Sequence, residues 1–139
     1  MLQESSPARS RPAAAEAPSP GAAAINASAL EQIRSLQRPG GPRVLHRVIA
    51  LYFVNTPELL AVMRDAVTHG NSEALRQAAH SLKSTSANLG ATPLAELCRG
   101  AEEVARKGAA ATEEFRLDAI EAEYERVRAA LEAELERST

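Results

Sequence analysis

The chain has 139 residues, one domain's worth, and 16 Lys and Arg against 18 Asp and Glu leave a formal charge of −2, which excludes a general electrostatic pull toward nucleic acid or an anionic membrane. Trp is absent and the aromatics are Tyr52, Tyr124, Phe53 and Phe115, so a core has to be assembled from Leu, Ala, Val and Ile, as in a helix bundle. The one cysteine, Cys98, cannot close an internal disulfide, and no apolar stretch approaches the roughly 20 residues that cross a bilayer; a reducing, cytoplasmic setting is expected.

Residues 1–24 are Ala, Pro and Ser for two-thirds of their length and read as a disordered linker or tail, with the helical domain occupying 25–139. They lack the hydrophobic segment of a signal peptide. Ser28 followed by Glu31 is a capping-box signal, and Leu30, Ile33 and Leu36 continue one apolar face until Pro39-Gly40-Gly41-Pro42 breaks it. From Arg43, the residues Val44, Leu45, Val48, Leu51 and Tyr52 repeat at helical spacing, and Thr56-Pro57 reads as an N-cap followed by proline at the first helical position. The helix beginning there carries Leu59, Leu60, Met63 and Val67 and stops at Thr68-His69-Gly70. Whether the pieces on either side of Thr56-Pro57 are one kinked rod or meet at a corner is left open by the residues.

Asn71 or Ser72 caps the next helix, which ends at Gly90, a residue suited to a left-handed cap. Thr92-Pro93 opens a further helix with Leu94, Leu97, Ala101 and Val104 on its buried stripe, closed by Lys107-Gly108. The last helix places Leu117, Ile120, Tyr124, Val127, Leu131 and Leu135 at alternating three- and four-residue steps, a pattern shared by a bundle helix and an intermolecular coiled coil. Six helices and no alternating strand pattern give an all-α fold, an up-and-down four-helix bundle with additional short N-terminal helices. The long helices are expected at about 43–68, 72–89, 92–107 and 111–136.

The 72–89 helix holds the candidate chemistry. Leu75, Ala78, Ala79, Leu82 and Leu89 form one apolar stripe, and His80 points roughly 150° away from its centre, toward water. Lys83 shares that side, while Ser84 and Ala87 flank the imidazole without covering it. Imidazole is a neutral nucleophile near pH 7 whose ring nitrogen takes a phosphoryl group directly, and a lysine ammonium pairs with phosphoryl oxygens. Small neighbours let another protein approach. Arg76 reads equally as a solvated helix arginine or a docking residue, Gln77 is able to hydrogen-bond a phosphoryl oxygen, and Glu73 and Asn88 read as rim residues. Metal binding fails on spacing, because His46, His69 and His80 fall on three different elements and Cys98 reads as a buried small hydrophobe. Neither GxxxxGK nor GxGxxG occurs, so the chain shows no means of binding ATP, and no cofactor is expected.

The string Ala79 to Gly90, AHSLKSTSANLG, resembles the signature of histidine-containing phosphotransfer (HPt) domains, over about residues 26–136 with a specific motif only on this helix. The resemblance makes His80 the phosphoacceptor, Lys83 the phosphate-facing lysine, Ser86 the small or hydroxyl position and Gly90 the closing glycine. Ser84 departs from the pattern, which most often has glycine after the lysine; serine is still small, so the phosphoacceptor role survives. The resemblance implies a phosphoryl carrier in a bacterial two-component phosphorelay. His80 would receive its phosphoryl from a receiver-domain aspartate and pass it to another receiver, docked over Arg76, Gln77, Ser84 and Ala87, with Mg²⁺ supplied by the receiver. It further suggests the C-terminal HPt domain of a hybrid sensor kinase, with one partner receiver in the same full-length protein, at the cytosolic end of a membrane-anchored kinase. Two alternatives stand beside it: the phosphoacceptor domain of a chemotaxis-type histidine kinase, and a helical binding module that never carries phosphate.

Overall fold

The computed structural model describes residues 23–36, 43–108 and 117–137, which form five α-helices: α1 (Ala27–Arg34), α2 (Val44–His69), α3 (Ser72–Asn88), α4 (Thr92–Arg106) and α5 (Leu117–Arg137). Residues 1–22 of the expected tail, the Pro39–Pro42 break and residues 111–116 of the expected last helix lie outside the described residues. The long helices α2 to α5 run up and down, each packed on the next, with α5 closing back on α2 and α1 lying against α2. Leu45, Ile49, Met63, Leu75, Leu82, Leu94, Ile120 and Leu131 fill the centre. Each such side chain taken from water contributes about 1.5–3 kcal/mol, which lets an almost wholly aliphatic core hold the bundle.

Three expectations are corrected. The helices number five among the described residues, because the chain runs unbroken through Thr56-Pro57 as α2. Proline removes one backbone donor and strains the preceding turn, at about 3 kcal/mol. The buried residues Leu45, Ile49, Tyr52, Thr56 and Met63 nevertheless keep one phase across it, so the core outweighs the local preference. Thr56 is accordingly a buried core residue and not a cap. At α1 the cap is Asn26, whose side chain accepts from the Ser28 N–H at 2.9 Å, in place of Ser28 itself. His46 and His69 share α2 instead of sitting on separate elements. The heptad-like residues of α5 are spent inside the chain: Ile120, Tyr124, Val127 and Leu131 are buried and Leu117 and Leu135 pack against the core.

The join between α3 and α4 fixes the start of the described chain. Gly90 adopts φ +77°, and its carbonyl accepts from the Asn26 N–H at 2.7 Å. A Cβ there would stand 2.7 Å from the Asn26 carbonyl oxygen and 2.8 Å from the Ala29 Cβ. Ala24, at the end of the expected tail, is buried in the core. Gly90→Ala is therefore expected to cost about 2–4 kcal/mol through combined backbone strain and overlap. Gly70→Ala, at φ +66° with open space around it, should cost only about 1–2 kcal/mol. Urea unfolding of both variants checks the difference.

Buried acids interrupt the apolar face of α5. Glu123 is 3% exposed; its Oε1 accepts from Arg126 at 2.9 Å, while Oε2 has no hydrogen-bond partner among the described residues. Burial pushes its carboxyl above the ordinary range, with the Arg126 charge opposing. A raised folded-state value means that the charged form is penalised by folding, and the penalty grows as pH climbs past the unfolded carboxyl's value. Glu123→Gln should thus stabilise the chain by on the order of 1 kcal/mol at pH 7, and the gain should vanish near pH 4. Thermal unfolding at the two pH values gives the answer.

Candidate functional site

α3 begins where the Asn71 side chain accepts from the Ala74 N–H at 3.1 Å, and Leu75, Ala78, Ala79, Leu82 and Ser86 turn inward from it. That burial sets the phase of the opposite face, which presents His80, Ser84 and Ala87 to solvent. Ser86, at the hydroxyl position, is wholly buried and shares a 2.8 Å hydrogen bond with the Tyr52 phenol of α2, fastening the second half of α3 to that helix. Burial pushes the Tyr52 phenol above its usual range, so it stays neutral.

On the other flank of α3 stands α4, which contributes Glu102. Its carboxylate is 5% exposed and is shared between two residues of α3: the His80 Nδ1–H donates to Oε2 at 2.9 Å and the Lys83 ammonium to Oε1 at 2.7 Å. Arg106, one turn along α4, brings a guanidinium nitrogen to 3.7 Å from Oε2. The Lys83 hydrogen bond holds the Glu102 carboxyl below the usual range against desolvation, and His80 assists. An ionised carboxylate only accepts, so the bond to Nδ1 requires the ring proton on that nitrogen. Nε2 is then the unprotonated nitrogen of the neutral ring, on a side chain 57% exposed. Cys98, one turn before Glu102, is fully buried, and burial with the nearby Glu102 charge pushes its thiol up to about 12.

Arg76 and Gln77 are gathered one turn N-terminal to His80 by Glu73, which accepts from Arg76 at 2.6 and 3.1 Å and from Gln77 at 2.9 Å. The Gln77 amide, expected to be free for a phosphoryl oxygen, is thus turned toward Glu73. Ser84 and Ala87 lie exposed on the His80 side of the helix. Glu102 is the residue that sequence reasoning missed. Its signal was an acid four residues after Cys98, on the flank of the stripe formed by Leu94, Cys98, Ala101 and Ala105, where a solvated residue does not belong. Among the described residues there is no group of His, Cys, Asp and Glu able to hold a metal ion, and no helix long and apolar enough to cross a membrane.

An up-and-down helical bundle that presents an accessible imidazole, braced from beneath by a carboxylate and flanked by an ammonium, defines a histidine phosphotransfer domain. The chain belongs to the Hpt domain family, whose model matches residues 47–130, from the first turn of α2 to late α5. It is similar to the crystal structure of histidine-containing phosphotransfer protein B (HptB) from Pseudomonas aeruginosa PAO1, with 27% sequence identity and a TM-score of 0.73 over 84% of this chain and 98% of that one. No curated protein matches the chain. It is a phosphoryl carrier of phosphorelay signalling, a family whose members interact with receiver domains of two-component systems.

Proposed function

We propose that His80 accepts the phosphoryl on Nε2 from a receiver-domain aspartyl phosphate and returns it to the aspartate of another receiver. The observation that carries this reading is the shared carboxylate of Glu102, which fixes the reactive tautomer and the lysine together. As the Nε2–P bond forms, the P–O bond to the aspartate breaks and that carboxylate leaves. Nε2 has no proton to lose, so positive charge develops on the ring and is met by Glu102 through Nδ1–H. Lys83, half-buried beside the ring, faces the incoming phosphoryl oxygens. The chain needs no nucleotide for this exchange, and Mg²⁺ would reside on the receiver. The Ala-, Pro- and Ser-rich composition of the expected tail ahead of Ala24 suits a tether to a receiver in a longer kinase, with the helical domain behind it as the phosphotransfer unit. Mixing the chain with a receiver carrying labelled aspartyl phosphate tests the reading directly: acid-labile label should move to the chain.

Docking of that receiver requires the surface around His80 to stay low, which is where Ser84 and Ala87 lie. Ala87→Arg should change stability by no more than about 0.5 kcal/mol, as exposed substitutions do, while weakening receiver binding and slowing transfer. Ser84→Gly should preserve or improve both. Calorimetric titration with a receiver, run beside thermal unfolding, separates the cases; an Ala87→Arg chain that binds as before places the interface elsewhere.

A further inference from the structure

The Glu102 carboxylate has a third neighbour that holds back from it. The Lys83 ammonium bonds Oε1 at 2.7 Å, whereas a guanidinium nitrogen of Arg106 stops 3.7 Å from Oε2, beyond hydrogen-bond reach, and the other terminal nitrogen donates to Glu103. The two acids differ in what a lost partner means. The Glu103 side chain is 50% exposed, so water takes up a loosened bond there, whereas that of Glu102 is 6% exposed and water does not. Arg106 follows Glu102 by four residues, one turn along the same face of α4, with a side chain open to solvent and able to turn. Arg76, on α3, is by contrast held by two bonds to Glu73.

A phosphoryl on Nε2 changes the balance of charge around Glu102. Its oxygens are anionic and attract the Lys83 ammonium, which either leaves Oε1 or divides itself between two anions. Glu102 then keeps its own charge with less to offset it, in a buried position where an unpaired carboxylate is strongly disfavoured. We propose that Arg106 closes onto Glu102 as Lys83 turns to the phosphoryl, an exchange of cations that keeps the carboxylate ionised and seated on the His80 Nδ1–H. Arg106 is thus a positioning residue, which acts on the ring through Glu102 and touches neither the ring nor the phosphoryl. The exchange rests on His80 as the acceptor and Lys83 as the cation that meets the phosphoryl. Its first half, Arg106 replacing an absent ammonium, is open to test without phosphate.

Removing the lysine imitates its departure. In the wild-type background Arg106→Gln should lower the midpoint of thermal unfolding at neutral pH by no more than about 2 °C, because Lys83 holds Glu102; in a Lys83→Ala chain the same change should lower it by about 5 °C or more, and Arg106→Lys should recover most of that loss. Equal losses in the two backgrounds overturn the exchange, even where phosphoryl transfer proceeds normally. The second arm mixes each chain with a receiver carrying labelled aspartyl phosphate and reads the label on the chain at equilibrium. Arg106→Gln should reduce the transfer equilibrium constant about tenfold, and Arg106→Lys should restore it to within about threefold. In a Glu102→Gln chain, with no buried charge left to offset, Arg106→Gln should change it by no more than about twofold. A tenfold loss in both backgrounds makes Arg106 a direct partner of the phosphoryl or the receiver and overturns the proposal. A wild-type chain that takes no label refutes the acceptor reading and the exchange together, an outcome distinct from failure of the unfolding contrast, which refutes the exchange alone.

Discussion

The His80→Gln chain is expected to fold as the wild type does and to accept no acid-labile phosphate. An amide nitrogen delocalises its lone pair into the carbonyl and is no nucleophile, so the loss should be complete. The side chain is 57% exposed and makes one hydrogen bond, to Glu102, which a glutamine amide is able to replace. Stability should move by no more than about 0.5 kcal/mol. The other two histidines are poor substitutes. His46 hides its Nε2 from solvent, and His69 is exposed at the end of α2 beside Asp65, without a lysine or a buried carboxylate arranged around it. Phosphate mapped to either of them in the variant, to an extent like that of the wild type, would overturn the assignment of His80.

The second large effect is expected at Glu102. Glutamine in its place keeps an acceptor for the His80 Nδ1–H but removes the negative charge that meets the phosphorylated ring and holds Lys83. Hydrogen bonds to charged groups contribute about 1.5–3 kcal/mol, so phosphoryl transfer in Glu102→Gln should fall about 10- to 100-fold. Stopped-flow transfer from a phosphorylated receiver measures it, and a rate within twofold of wild type would remove Glu102 from the mechanism. Stability supplies an independent readout with a definite sign. The carboxyl is held below its ordinary range in the folded chain, chiefly by Lys83, so its contribution is present above the unfolded value and is lost as pH falls through the folded one. Glu102→Gln should therefore be less stable than wild type throughout the neutral range, with the two curves converging only in acid. That is the reverse of the behaviour expected for Glu123, although both are glutamates on buried helix faces. The difference lies in their partners: both carboxylate oxygens of Glu102 accept from donors on α3, His80 and Lys83, whereas Glu123 has an orphaned oxygen.

How much of this was legible in the sequence depended on the range of the cause. The limits of α3 and the turn into α4 were readable because Asn71 and Gly90 act within a few residues of themselves. The phase of α3 was readable as well: Leu75, Ala78, Ala79 and Leu82 are all buried, and the same spacing left His80 in water. Thr56-Pro57 misled because its local chemistry is that of a helix start. Only packing of α2 against the remainder of the bundle decides for a continuous rod. At α1, Asn26 and Ser28 are both good caps, and the choice is tied to the Asn26 N–H bonding to Gly90, sixty-four residues away. Glu102 was hidden for a related reason. An acid among small apolar residues on α4 has only Arg106, at 3.7 Å, in its own neighbourhood, and the histidine and lysine that explain its burial lie on the preceding helix.

Cys98 has a practical consequence for following this protein at work. It is the only cysteine of the chain, it is wholly buried, and its thiol remains protonated far above neutral pH. Maleimides and spin labels need an accessible thiolate, so the native chain should be silent toward them. A cysteine introduced at an exposed position such as Ser84 would then be the sole reactive site, with no background to engineer away. The α3 surface is therefore addressable by a single fluorophore or nitroxide, able to report the arrival and departure of a partner in real time.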